Sequence, residues 1–204
     1  MIKLGAKELR TTKSSPEENL KLKKNPIYII CDNILDTYNT GSIFRLADAV
    51  AAEKVFLCGI TETPPNTRIK KASINTTEWV AWEYAQSTVE VIEKLRQQFS
   101  TSPDTIRNLA PLEQYSSSEP KANREASNIK IVAIEQNEKS VPFDKAKYSF
   151  PIAFVVGNET TGISEDVLKM CDEIVELPMF GVNKSLNVMV SLGIILYEAI
   201  KGLK

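Results

Sequence analysis

Histidine is absent from this 204-residue chain. That excludes every Ser-His-Asp or Cys-His catalytic arrangement and every metal site that needs an imidazole. Cysteine is scarce. Cys31, Cys58 and Cys171 stand far apart without CxxC spacing, so neither a zinc cluster nor a disulfide framework is expected. They read as buried thiols in a reducing compartment. Long apolar runs are also missing. The longest, 186–200, is interrupted by Asn187 and Glu198, too short and too polar to span a membrane. No secretory signal opens the chain, because residues 1–24 are charged throughout. The expectation is a soluble cytoplasmic protein without a metal. An excess of one charge is lacking as well: 25 Lys+Arg against 26 Asp+Glu leaves −1, so overall charge selects no class of partner.

What is present is ordinary globular material, 43% hydrophobic and 25% charged. The length suits one domain with an appendage. Residues 1–25 form a basic N-terminal extension, with seven basic and three acidic residues in the first 24. It reads either as a solvated tail or as an arm for phosphates. From 26 to 204 short apolar runs alternate with helical spacing. Strands are expected at Ile27–Cys31, Val55–Cys58, Trp79–Trp82, Ile129–Ile134, Ile152–Val156 and Ile174–Leu177. Helices are expected over Ser42–Ala51, from the Ser87-x-x-Glu90 cap to about Phe99, from Ser164 to Met170, and from Ser185 to Lys201. This alternation predicts an α/β domain, a mostly parallel sheet with helices on both faces. Residues 100–128, with six serines and three prolines, read as a loop insertion.

In such sheets ligands sit beyond the carboxyl ends of the strands. Three loops stand there: 39–45, 157–164 and 178–187. The second has the GxxxxG spacing of a phosphate-binding loop, but Ile163 occupies the place of the phosphate-gripping lysine. A phosphate-binding hydrolase is weakened accordingly, and no GxGxxG supports a dinucleotide site. Taken singly, Arg45 reads as a snorkelling surface arginine, Glu159 as a helix N-terminal charge, and Ser185 as an N-cap. Asn187 is poorly explained by capping, since asparagine is a mediocre helix former at the start of an apolar run.

Together the loops carry more. Asn39-x5-Arg45-x-Ala47-Asp48, then Gly157-Asn158-Glu159-x2-Gly162, then Leu177-Pro178-Met179-x-Gly181-x3-Ser185-Leu186-Asn187-Val188 resemble the three ordered motifs of the SpoU-type RNA 2′-O-ribose methyltransferases, of the SPOUT superfamily. The resemblance runs from about Pro26 to Glu198, and 59–78, with Pro64-Pro65-Asn66 and Lys71, looks like the family's linker. The sequence departs at Asn75 and Thr160, where glycine is frequent, and at Met189, where a small residue is.

The resemblance implies a C-terminal deep trefoil knot and S-adenosylmethionine as cofactor, with Ile134, Gly157, Leu177 and Leu186 lining its pocket. It implies methyl transfer to a ribose 2′-hydroxyl of tRNA or rRNA. Catalytic roles fall on Asn39, Arg45, Glu159, Ser185 and Asn187. Arg45 would hold the adjacent phosphate and steady alkoxide charge, because guanidinium stays protonated. Asn39 would orient Arg45 or the RNA backbone. Glu159 would fix the loops or Asn187, and Ser185 and Asn187 would shape the place where ribose meets methyl. The alternative is an RNA-binding member of the same fold without turnover. A homodimer is also expected, since Val188, Val190, Leu192, Ile194, Ile195, Leu196 and Ile200 cover more of the last helix than one stripe needs.

Overall fold

Continuous apolar runs become strands here because helices shield both faces of the sheet, so no polar alternation is needed. The computed structural model describes residues 21–100 and 128–203. The extension at 1–20 and nearly all of the 100–128 stretch lie outside the described residues.

Seven parallel strands, β1 (Asn25–Asp32), β2 (Ala52–Cys58), β3 (Trp82–Ala85), β4 (Lys130–Ile134), β5 (Val141–Pro142), β6 (Ile152–Val156) and β7 (Glu173–Glu176), form one sheet in the order β3-β2-β1-β6-β4-β7-β5. The helices are α1 (Thr37–Ala49), α2 (Thr67–Ser73), α3 (Thr88–Gln98), α4 (Glu165–Lys169) and α5 (Val188–Ala199). Period-two alternation divides the core. Ile27, Ile29 and Cys31 pack with α1, α2 and α5 through Phe44, Ile69 and Leu192. Tyr28 and Ile30 pack with α3 and α4 through Ile92 and Val167. Each fully buried Ile or Phe contributes roughly 1.5–3 kcal/mol of transfer free energy. No helix among the described residues is long and apolar enough to cross a membrane.

Several boundaries differ from the sequence expectation. The third strand is 82–85 rather than 79–82, because Trp79 ends a 3-10 turn (Thr76–Glu78) and donates its indole N–H to Asp48 at 2.7 Å. The first helix starts five residues early. Asp36 is its N-cap, accepting from the Tyr38 N–H at 2.8 Å, so Asn39 lies in the first helical turn rather than in a loop. The two-residue β5 is too short for any periodic signal. Asn75 holds φ 65°, a left-handed conformation asparagine tolerates. Gly41 sits where α1 crosses α2: a Cβ there would lie 2.6 Å from the Ile69 carbonyl oxygen.

Candidate active site

The parallel strands deliver the β1–α1, β6–α4 and β7–α5 connections to one end of the sheet, together with the exit of β4. The segments after β4, β6 and β7 line a cavity of about 540 Å³. Ile134, Gly157, Leu177 and Leu186 all line it, with Glu159, Ser185 and Asn187.

Glu159 does not serve the helix that follows it. Its carboxylate reaches across to the start of α1, accepting from the N–H groups of Leu35 (2.8 Å) and Asp36 (3.1 Å) and from Asn39 Nδ2 (2.8 Å). Burial pushes its pKa up, but the hydrogen bonds from Asn39, Leu35 and Asp36 outweigh this and hold the carboxyl below its ordinary value. It is ionised at neutral pH, where it also complements the α1 macrodipole. Asn39 passes the order on: its Oδ1 accepts from Asn187 Nδ2 at 3.0 Å. A relay Glu159–Asn39–Asn187 thus joins three segments, and the ionised end fixes which way each amide points.

Asn187 rather than Ser185 is the N-cap of α5. Its Oδ1 accepts from the N–H groups of Met189 (2.9 Å) and Val190 (3.4 Å), and the helix begins at Val188. The same side chain therefore caps with its oxygen and joins the relay with its nitrogen. Ser185, freed from capping, is exposed on the cavity wall.

Arg45 is placed apart from these four. It lies six residues beyond Asn39, about 9 Å along α1 and on a different face. It is exposed and does not line the cavity. Asp48, one turn on, is engaged by Trp79, and Arg45 has no carboxylate within ion-pair distance among the described residues.

The two glycines of the second loop line the cavity and allow a tight local fold. A Cβ on Gly157 would sit 2.6 Å from the backbone of Gly162 and Ile163, so the loop folds tightly on itself. Gly162, at φ 67°, backs onto Glu135, whose Oε2 accepts from the Ile163 N–H at 2.9 Å. Asn158 donates to the Asn33 carbonyl at 2.9 Å and accepts from Thr160 and Thr161 N–H groups. Sequence reasoning missed Glu135, and with it Glu176, on the cavity wall; Met179, quoted only within the third motif, lines it too. A glutamate ending a strand carries no local signal of a clamp. Among the described residues no group of three or more Cys, Asp or Glu is arranged to hold a metal ion.

Relatives match this architecture. The sequence model of the SpoU rRNA Methylase family fits residues 26–122 and 100–197. The tRNA (guanosine(18)-2'-O)-methyltransferase of Aquifex aeolicus is 28% identical over 188 residues, covering 89% of this chain and 72% of that protein. The 23S rRNA (guanosine-2'-O-)-methyltransferase RlmB of Haemophilus influenzae is 26% identical over 197 residues, covering 97% and 68%. Some relatives are longer: the chain spans 61% of the putative TrmH family tRNA/rRNA methyltransferase YacO of Bacillus subtilis. Among solved structures, the A. aeolicus TrmH/SpoU tRNA modifying enzyme superposes with TM-score 0.67 at 26% identity, over 96% of this chain and 80% of that one. AviRb from Streptomyces viridochromogenes, solved with AdoMet, shares the fold with TM-score 0.68 at 21% identity, over 91% and 64%.

A parallel sheet of this order, with its cavity built from the loops after β4, β6 and β7, defines a SPOUT-type α/β protein. Within that class, the chain belongs to the SpoU rRNA Methylase family.

Proposed function

We propose that this chain transfers a methyl group from S-adenosylmethionine to a ribose 2′-hydroxyl of transfer or ribosomal RNA. The observation that carries the reading is the Glu159–Asn39–Asn187 relay, whose two ends line one cavity, joining residues over 100 positions apart. The cavity fits the cofactor. Its volume lies in the range of small-molecule sites, and Ile134, Leu177, Met179 and Leu186 offer apolar walls for an adenine. Glu135 and Glu176 put carboxylates on the same wall, suited to a cationic ligand.

When bound, the cofactor supplies an electrophilic methyl on a sulfonium, so the protein's task is positioning and charge. Glu159 holds the start of α1 against the second motif loop. Asn39 and Asn187 set the start of α5, and Ser185 presents a hydroxyl beside them. Arg45, unpaired and outside the cavity, grips the phosphate beside the target ribose as RNA lies over α1, and steadies the developing alkoxide. The C-terminal segment threads as a knot. The interleaved order β1-β6-β4-β7-β5 supports this, since later strands lie between earlier ones. The protein acts in the cytoplasm as a homodimer. Val190, Ile194 and Tyr197 form an exposed stripe along α5 that a second copy would cover. Light scattering at micromolar concentration tests this, and a monomer mass contradicts it.

The activity is tested with the purified protein, methyl-labelled S-adenosylmethionine and bulk RNA from cells lacking the protein. Label should enter RNA at alkali-resistant linkages, the mark of a 2′-O-methyl. Label on bases, or binding of RNA and cofactor without transfer, refutes it.

A further inference from the structure

On the same face of the sheet as α1 lies a second concavity of about 430 Å³ that the methyl-transfer reading does not use. Pro64, Pro65, Ile69 and Trp82 supply its apolar lining, with Lys70 and Glu78 among its polar residues. Helix α2 borders it. The helix carries Arg68, Lys70 and Lys71, all exposed, and no acidic residue. None of the three has a carboxylate within ion-pair distance among the described residues; Glu78 lies beyond reach of Lys70. The contrast with the opposite face is sharp. Around α3, Lys54, Lys94 and Arg96 each meet a glutamate or aspartate. On α1, Arg45 likewise has no ion-pair partner among the described residues, and α1 touches α2 through Gly41. Among the described residues, cations without an ion-pair partner therefore stand on α1 and along α2, which borders an apolar groove lined by an indole.

We propose that α2 and this groove form a second RNA contact: Arg68, Lys70 and Lys71 hold phosphates, and the groove between Pro65 and Trp82 receives an unpaired base away from the methylated ribose. The occupant follows from charge and shape. A polyanion with flat apolar faces satisfies both the cations and the indole, whereas an apolar peptide would leave three cations unused. The inference rests on the reading of this chain as an RNA methyltransferase.

The test is a triple variant, Arg68→Gln, Lys70→Gln and Lys71→Gln, which keeps helix propensity and touches no core residue. Binding of unmodified bulk transfer RNA and of ribosomal RNA fragments is measured against salt. Loss of three phosphate contacts should lower the slope of log affinity on log salt by about 2. The methylation rate at saturating RNA and the affinity for S-adenosylmethionine should stay as in the parent. Trp82→Leu, which keeps an apolar groove but removes the stacking face, should weaken RNA binding roughly tenfold. An active parent whose triple variant binds RNA with the same affinity and salt slope overturns this inference alone. A parent that binds no RNA overturns the methyltransferase reading as well.

Discussion

Asn39→Asp is the most informative single change in the relay. Asn39 Nδ2 lies 2.8 Å from Glu159 Oε1, and an aspartate there would place two carboxylates in contact. Two escapes are open. If the charges rotate apart to about 4 Å, an effective dielectric near 20 leaves roughly 4 kcal/mol of repulsion. If one carboxyl stays protonated at pH 7, holding a proton about 2.7 units above an ordinary glutamate pKa costs roughly 4 kcal/mol. Both routes predict a loss near 4 kcal/mol, trimmed by the water that reaches the exposed edge of Glu159 to about 2–4 kcal/mol. The pH dependence separates this from mere loss of a hydrogen bond. In the variant the shared proton raises the folded-state pKa of the pair. Stability is regained below it and lost as pH rises through it. Between pH 7 and pH 5 the variant should recover about 2–3 kcal/mol relative to the parent. Asn39→Ala, which removes the contact without adding charge, should show no such recovery. Urea denaturation of the three proteins at both pH values decides the matter. An Asn39→Asp variant as stable as Asn39→Ala at pH 7, with the same pH profile, would refute the relay as drawn.

Asn187→Ala removes both the α5 cap and the donor to Asn39, and should cost about 2 kcal/mol in urea unfolding, whereas Asn187→Asp should retain the cap yet still lose most methyl transfer. Gly157→Ala drives a Cβ into the backbone of Gly162 and Ile163. It should abolish the rise in melting temperature produced by S-adenosylmethionine while leaving a folded sheet by circular dichroism. Arg45→Met and Arg45→Lys should fold and bind cofactor normally but lose on the order of 100–1,000-fold in single-turnover methylation at saturating RNA; a near-native rate for Arg45→Met removes Arg45 from the reaction. Burial pushes the Cys58 and Cys171 thiols up to about 12 and Cys31 well above its ordinary value, so iodoacetamide at pH 8 should leave the native protein nearly unmodified and label all three thiols in urea.

Local pattern made the elements legible. An apolar run such as Ile152–Val156 reports burial on both faces, and burial on both faces means an inner strand of a parallel sheet. Ser87-x-x-Glu90 marked a helix start, and Ser87 does accept from the Glu90 N–H. The three polar motifs were visible only as an ordered set; Asn187, which capping was expected to explain poorly, is the α5 N-cap. What misled was the assignment of local work. Ser185 and Asn187 are comparable N-cap residues by propensity, yet it is Asn187 that caps α5, while its amide nitrogen donates to Asn39. Asp36 caps α1 without a local pattern that singles it out, and so Asn39 lies in a helical turn rather than in a loop.

The residues themselves therefore determined a great deal: the absence of histidine chemistry, the α/β alternation, and the motifs by which the family is recognised. Only the tertiary structure decided which groups meet. Glu159 holds the N–H of Leu35, 124 positions away, and Asn187 donates to Asn39, 148 positions away, because β6 lies beside β1 and the β7–α5 loop closes over the same sheet end. It also left Arg45 exposed and outside the cavity lining. The physical reason is range. Burial and capping are properties of a few neighbouring residues and leave a periodic trace, whereas strand order is chosen by the packing of the whole sheet and leaves none in any short segment.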